Sequence, residues 1–322
     1  MKNIYLNIYK PNLINLKKAK NCIENNNVIG LPTETVYGLA GNAYSKKAIK
    51  KIFKLKKRPA FNPLIIHYRN INHLESDVFL NKDFKKLYKI FCPGPITFIL
   101  KKKKKSKIVK MAVNNKETVA VRIPKHKIAR NLLNILRVPL AAPSANISSK
   151  LSPTSAKDVF EEFKNKLKFI LDGGECQIGL ESTIIDLTIK PTILRPGYIT
   201  ISKIRKVLKK KIKIIKNPKK IISPGQLKLH YSPGIPVEMN KNYAKKYQAL
   251  IGFGRKFKVA RNHFNLSKNG NLKEAANNLY KTMRKIKKRN FKSIAITKIP
   301  NKEIGLAIND RLKKAANKWL LK

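Results

Sequence analysis

A chain of 322 residues with 43% hydrophobic content can bury one large core or two smaller ones. Its 72 Lys/Arg against 17 Asp/Glu give a formal net charge of +55, a field that attracts polyanions. No stretch reaches the roughly 18 unbroken apolar residues of a membrane-spanning helix, which excludes that class.

Residues 1–12 hold neither a long apolar core nor a cleavage-like site, so no signal peptide is expected. Cys22, Cys92 and Cys176 lie far apart and form no paired motif. That usage points to reduced thiols, a cytoplasmic setting and no zinc site.

Helical and strand patterns alternate through residues 1–210. Leu13, Leu16, Ala19 and Ile23 recur at helical spacing, and VIGLPTE follows as a short strand running into a polar turn. Ser45 suits the N-cap of a helix that puts Ala48, Ile49, Ile52 and Phe53 on one face. Buried strands are expected at PLIIHY, PITFIL, TVAVRIP, VPLAAPS, KFILDGG and STIIDLT. Helices are expected at about 81–91, 125–136, 155–166 and 201–210. So many strands with interspersed helices suggest one large α/β domain with a twisted, mixed sheet. Residues 211–237 change character. Four prolines with little Gly/Ser enrichment read as an ordered linker. A smaller α/β unit follows over 238–322, with strands at YQALIGFG and KSIAITKI and helices at roughly 271–288 and 303–320.

The charge has two readings. Lys, Ile and Asn are all abundant and their codons are A/T-rich, so compositional drift would produce it. Residues 101–105, all lysine, are then a solvated strand end or loop. A dedicated RNA-binding surface would produce the same balance. Residues 238–322 carry 23 Lys/Arg against 4 Asp/Glu, so the excess is spread over both parts of the chain.

Six polar clusters sit at strand ends, where open α/β sheets place ligands. In LPTETVYGLAGNA, Thr33, Glu34 and Thr35 follow a strand, and Gly38 and Gly41 let backbone approach closely. The same letters also suit a helix start capped by Thr33 or Thr35. In KLKKRPAFNPLIIHYR, Lys56 and Arg58 close a helix, with Asn62 and His67 beyond. Such cations neutralise phosphate or carboxylate oxygens, though a lysine-rich surface reads alike. In ETVAVRIP, Thr118 and Arg122 share strand parity and so one face. An arginine inside an apolar strand needs an anionic partner: a ligand, Glu117 or another acid. LAAPSANISSKLSPT offers Ser144, Asn146 and Ser152; GLESTIIDL offers Ser182 and Thr183; ILRPGYI offers Arg195. Each of these three alone also fits ordinary loop chemistry.

There is no P-loop, no dinucleotide glycine fingerprint, no G-x-S-x-G elbow and no paired metal spacing. His67 and His230 stand too isolated to argue a metal site. The chain reads as a positioning enzyme of cations and hydroxyls without a covalent nucleophile. That suits phosphoryl or nucleotidyl transfer, where orientation and charge neutralisation supply most of the catalysis.

Taken in order, GLPTETVYGL, KKRP..NPLIIH, PGPITFIL, VAVRIP, PLAAPSAN.SSKLSPT, ILDGG, ESTIIDL and ILRPG resemble the threonylcarbamoyl-AMP synthases of the Sua5/YciO/YrdC family. The family's Lys-x-Arg and Ser-x-Asn signature reads here Lys56-Lys57-Arg58 and Ser144-Ala145-Asn146. The stretch SPGQLKLHYSP and the tail NLSKNGNLKEAANNLY…IPNKEIGLAINDRLKKAAN resemble the two-domain form called Sua5. The resemblance implies a YrdC-like catalytic domain over 1–210, a twisted open mixed sheet with a deep basic cavity. It also implies an ordered linker over the active site at 211–237. A small Rossmann-like Sua5-type domain would occupy 238–322, short for its type.

What the family does sets the functional expectation. L-threonine, bicarbonate and ATP would condense to threonylcarbamoyl-AMP and pyrophosphate, a nucleotidyltransferase reaction with Mg²⁺ accompanying ATP. Downstream threonylcarbamoyl transferase machinery would carry the group to adenosine 37 of tRNAs reading ANN codons. A contact with tRNA or double-stranded RNA is implied, and no membrane. By matching motif, Thr35, His67, Arg122, Ser144 and Ser182 would hold threonine. Arg58, Asn62, Thr118, Ala142 (by backbone), Asn146, Ser152, Arg195 and Tyr231 would hold ATP. Lys56, with Arg58, would neutralise phosphate charge; no metal ligand is assigned. Three rival readings remain: a degenerate scaffold that has lost activity, against which the intact polar clusters argue, and two that differ in what they require. A nucleic-acid binder without chemistry needs base-stacking aromatics beside its cations, whereas the aromatics here fall mostly within apolar strands and helices. A carbamoyl-phosphate-using transferase needs additional domains.

Overall fold

The computed structural model describes residues 6–215, 223–227, 229–257 and 260–320, with side chains through residue 316. Of the expected linker, residues 216–222 and 228 lie outside the described residues.

The chain begins with β1 (Ile8–Tyr9) and α1 (Leu13–Glu24), a helix capped by the Asn12 side chain, which accepts from the Asn15 amide. α1 buries Leu16, Ala19 and Ile23, three of the four residues whose spacing predicts it. β2 (Ile29–Leu31) follows, then β3 (Gly38–Asn42). Thr33 and Thr35 cap no helix. The Thr33 hydroxyl donates to the Val36 carbonyl at 2.6 Å, and the chain bends straight into β3. Ser45 does cap α2 (Lys46–Lys56), its Oγ accepting from the Ala48 amide at 3.1 Å.

The N-terminal unit continues with β4 (Ile65–His67), α3 (Ile71–Glu75), α4 (Lys82–Phe91), β5 (Ile96–Lys101), β6 (Thr118–Arg122), α5 (Lys127–Ile135) and β7 (Leu140–Ala141). It ends with α6 (Ala156–Phe163), β8 (Ile170–Leu171), β9 (Thr183–Asp186), β10 (Thr192–Arg195), α7 (Ile201–Leu208) and β11 (Lys213–Ile214). Among the described residues eleven strands form one mixed sheet, in spatial order β1-β8-β2-β3-β7-β4-β6-β5-β9-β10-β11. Its alternation shows in β3, where Leu39 joins the core packed by α2, α4, α6 and α7. Ala40 faces the opposite way, against α1 and α5. Truncating a fully buried Leu39 to Ala would cost about 2–5 kcal/mol.

The second sheet joins β12 (Val237–Met239), β13 (Gln248–Gly252), β14 (His263–Asn265) and β15 (Ser293–Ile296) in the order β12-β15-β13-β14. All its pairings are parallel, and α8 (Leu272–Lys288) and α9 (Gly305–Leu320) complete the unit. The sequence pattern does not mark β1, β3, β10, β11, β12 or β14 as strands. β3 is Gly-Leu-Ala-Gly-Asn, small residues that carry no strand signature. They fit because a Cβ on Gly38 would sit only 3.2 Å from that of Ala142.

Candidate active site

β4 and β6 run parallel at the middle of the large sheet, in a register that sets His67 opposite Arg122. Around their ends gather the turn after β2, the loop after β7, the approach to β9, the end of β10 and the linker. Together they enclose about 520 Å³ of empty space, part of it open to solvent. Thr35, Arg58, His67, Arg122, Ala142, Ser144, Ser182, Arg195 and Tyr231, expected from widely separated stretches, all line this cavity. Lys56, Asn62, Thr118, Asn146 and Ser152 do not.

Arg122 is buried, and its partner is Glu34 rather than the neighbouring Glu117. Nη2 donates to the Glu34 carboxylate at 2.7 Å and Nη1 to the Thr35 hydroxyl at 2.9 Å. The second Glu34 oxygen accepts the Lys125 amide at 3.1 Å. Glu34 thereby neutralises the strand arginine and aims it beside Thr35. His67 is also buried; burial first, then the Arg122 charge, pull its pKa down to about 3. At neutral pH it is an uncharged imidazole, and its Nδ1 has no hydrogen-bond partner. Across the cavity, the Ser182 hydroxyl shares a 2.7 Å hydrogen bond with Thr97 and accepts from Arg195 Nη2 at 3.1 Å.

Arg58 leaves the helix because Lys57 ends α2 in a left-handed conformation, φ 47°. Its Nε donates to the Asn62 carbonyl at 2.9 Å. Nη2 donates to Asn62 Oδ1 at 2.6 Å and to the Pro63 carbonyl at 2.8 Å. Asn62 thus stands behind Arg58 and holds it. Burial and the nearby Arg195 lower the Arg58 pKa to about 9, still well above neutrality, so it remains a cation.

Lys56 is 1% exposed, and its ammonium donates to the carbonyls of Ser144 and Asn146. Expected to meet phosphate, it instead ties the Lys-x-Arg stretch to the Ser-x-Asn stretch. Burial, then Arg58, hold its pKa well below the usual lysine range. Asn146 turns its amide onto its own loop, donating to the carbonyls of Ile147 and Lys150. Ser152 donates to Glu181 at 2.5 Å. Thr118 begins β6, about 13 Å along the strand from Arg122. Ala142 uses its N–H on the Ile65 carbonyl, leaving its own carbonyl as its backbone group for a ligand.

The linker supplies Pro224, Gly225, His230 and Tyr231 to the cavity wall. Gly225 has φ +81°, and a Cβ there would lie 2.9 Å from Arg195 Cδ and 3.0 Å from the Tyr231 hydroxyl. Only glycine fits that approach. Tyr231 is fully buried at φ +61°, a strained backbone for an aromatic residue, and its hydroxyl has no partner.

Sequence reasoning passed over Glu34 as a partner, weighed His230 only as a metal ligand, and passed over Glu181 and Arg311 altogether. Glu181 and His230 directly precede Ser182 and Tyr231, so adjacency was the available signal. Arg311 interrupts the apolar stripe of Ala307, Ile308, Leu312 and Ala315, and that interruption was its only mark.

Among the described residues, the cavity presents three guanidinium groups, the two neutral imidazoles of His67 and His230, and several hydroxyls. Its single acid, Glu181, is already paired with Arg311 at 3.0 Å. Such a surface takes anions with planar or tetrahedral oxygens. No three His, Cys, Asp or Glu among the described residues group as a metal cage. The donor set does not fit a protein-held Mg²⁺. No helix among the described residues is long and apolar enough to cross a membrane.

Residues 21–197 match the Sua5_yciO_yrdC family model, described as Telomere recombination. Residues 199–317 match the model described as Threonylcarbamoyl-AMP synthase, C-terminal domain. The chain is 37% identical to the threonylcarbamoyl-AMP synthase of Pyrococcus abyssi, over 95% of each chain. It is 35% identical to that of Bacillus subtilis, over 94% of this chain and 92% of the relative. The crystal structure of P. abyssi Sua5 complexed with L-threonine aligns with a TM-score of 0.88 at 35% identity, over 96% of both chains.

Proposed function

The chain belongs to the Sua5/YciO/YrdC family in its two-domain form, and we propose that it is a threonylcarbamoyl-AMP synthase. The observation that carries the reading is the convergence of Arg58, Arg122 and Arg195 on one cavity. The surrounding fold matches that of a relative seen with L-threonine.

In this reading Thr35, His67, Arg122, Ser144 and Ser182 hold threonine. His67 stays neutral and so leaves the amine's nucleophilic form undisturbed. Arg58, Arg195, the Ala142 carbonyl and Tyr231 hold ATP, and Thr118, outside the cavity lining, has no part in it. Asn62 fixes Arg58, Ser152 fixes Glu181, and Lys56 with Asn146 fixes the backbone around Ser144. The threonine amine adds to bicarbonate with loss of water, giving a carbamate. A carbamate oxygen then attacks the α-phosphorus, and the bond to the β-phosphate bridging oxygen breaks, releasing pyrophosphate. That is a nucleotidyl transfer. Both reacting groups are anions, so the guanidinium cluster lowers the barrier by screening their repulsion and the charge of the leaving group. Mg²⁺ accompanying ATP would supply further charge neutralisation beside Arg58 and Arg195. The product then serves the tRNA step at adenosine 37.

Pyrophosphate release by the purified protein tests this. Release is expected only with L-threonine and bicarbonate together. Arg58→Ala is expected to lower it about 100-fold or more, in the range set by losing one preorganised donor. Release indifferent to threonine would remove the reading.

A further inference from the structure

Arg311 on α9 is 1% exposed, and through it the C-terminal unit reaches the catalytic half. Its Nε donates to the Glu181 carboxylate at 3.0 Å, and its Nη1 donates to the Pro196 carbonyl at 2.6 Å. Glu181 directly precedes Ser182, and Pro196 directly follows Arg195. One guanidinium therefore clamps together the two segments that carry Ser182 and Arg195, side chains that meet at 3.1 Å in the cavity wall. The same group lies 5.4 Å from the centre of the Tyr231 ring, against which it packs.

The Glu181 carboxylate completes the arrangement. It accepts from Ser152 at 2.5 Å and from the Tyr280 hydroxyl at 3.2 Å. One residue turn further along α9, Lys314 donates to the carbonyl of Gly225 in the linker at 2.9 Å. α9 thus touches three segments of the cavity wall without lining it.

We propose that Arg311 is a positioning residue for the reaction, holding Ser182, Arg195 and Tyr231 in their working places from the C-terminal unit. The inference rests on the reading of the chain as a threonylcarbamoyl-AMP synthase. The chemistry needs a guanidinium. Its planar fork donates in two fixed directions while its face packs on an aromatic ring. A lysine ammonium can keep the ion pair with Glu181 but cannot also reach Pro196 and stack. A purely structural interdomain ion pair would tolerate that exchange kinetically; a positioning residue would not.

The test measures pyrophosphate release by the full chain at varied threonine and ATP, for wild type, Arg311→Lys, Arg311→Met and Glu181→Gln. Folding is followed by near-ultraviolet circular dichroism. Arg311→Lys is expected to fold and to lose about 100-fold in kcat/KM, with KM raised for both substrates, because small displacements of positioning groups cost that much. Methylguanidinium is expected to restore part of the activity of Arg311→Met. Wild-type KM and kcat in a folded Arg311→Lys overturn the inference. A measurement on the unaltered protein stands beside it: saturating threonine and ATP should slow amide hydrogen exchange in residues 305–316. An unchanged segment in a protein that turns over also overturns the inference. A wild type that releases no threonine-dependent pyrophosphate overturns the functional reading beneath it instead.

Discussion

Arg122 and Glu34 show how the site tolerates charge inside an apolar sheet. Their side chains are each 5% exposed, and they meet at 2.7 Å. Removing one partner of such a pair strands the other in a low-dielectric setting, at about 3–5 kcal/mol. Glu34→Gln is expected to destabilise the protein by that order, read from the midpoint of urea unfolding. A loss under about 1 kcal/mol would show that Arg122 finds compensation elsewhere, since isolated exposed pairs are worth no more than that. The histidines make a pH argument at the same scale. His67 and His230 are buried, and their pKa values are pulled down to about 3: His67 by burial and Arg122, His230 by burial and then Arg58, Lys56 and Lys314 against the opposing pull of Glu181. Unfolded, each titrates near 6.5, so between about pH 6.5 and 3 the unfolded chain binds more protons than the folded one. Their contribution is complete above that window and is lost as pH falls through it, roughly 2 kcal/mol for each at pH 5. His73 and His126 shift in the same direction. Urea unfolding at pH 7 and pH 5 should show the loss, and His67→Asn should shrink it. Equal stability at both pH values would refute the assignment.

At the scale of elements, α8 is the seam between the two units. Lys281, Arg284 and Lys288 lie on one face of it and meet Glu175, Asp158 and Glu161 of the catalytic half. These pairs differ in worth. Lys281 and Lys288 pair at the exposed edge, where screening limits each to at most about 1 kcal/mol. Arg284 is more deeply set and also donates to the carbonyls of Ser152 at 2.9 Å and Leu151 at 2.8 Å. Arg284→Ala is therefore expected to destabilise by about 2–3 kcal/mol, and Lys281→Ala by under 1 kcal/mol and less still in 1 M salt. Equal effects in thermal unfolding would contradict the ranking. What was legible in the sequence divides along the same physical line. β4, β5 and β6 announced themselves because they are short runs of β-branched and aromatic residues. α2 did so because a serine cap precedes an apolar stripe. β3 stayed hidden in small residues whose fit depends on Ala142, a hundred positions away. Most of the nine expected site residues in the cavity stand at strand ends or in the loops beside them, where polar letters stand out. Lys56, Asn62, Asn146 and Ser152 bear the same letters but turn them onto the protein itself. No local pattern distinguishes a lysine that meets phosphate from one that meets two carbonyls. Arg311 was invisible because its meaning lies in Glu181, 130 residues upstream.

At the scale of the molecule, the placement of the few acids decides what the +55 charge can do. Glu34, Asp77 and Glu181 are buried. Asp83, Asp158, Glu161, Glu162, Glu175 and Asp310 are each engaged by a lysine or arginine. The basic excess is thus largely unneutralised, and both units of the chain carry it. A field of this kind binds polyanions through counterion release, without reading sequence or sugar. The protein is expected to bind duplex RNA and duplex DNA of equal length alike. Its log K should fall linearly with log salt, by about 0.9 for each phosphate neutralised. Replacing the five lysines at 101–105 by Gln should reduce that slope only in part, because the rest of the surface remains. Fluorescence anisotropy across a salt series measures both quantities. Duplex RNA held much more tightly than duplex DNA, or binding abolished by that one block of substitutions, would instead reveal a localised surface built for RNA. In that outcome the charge would be part of the chain's work on tRNA, and compositional drift would no longer account for it.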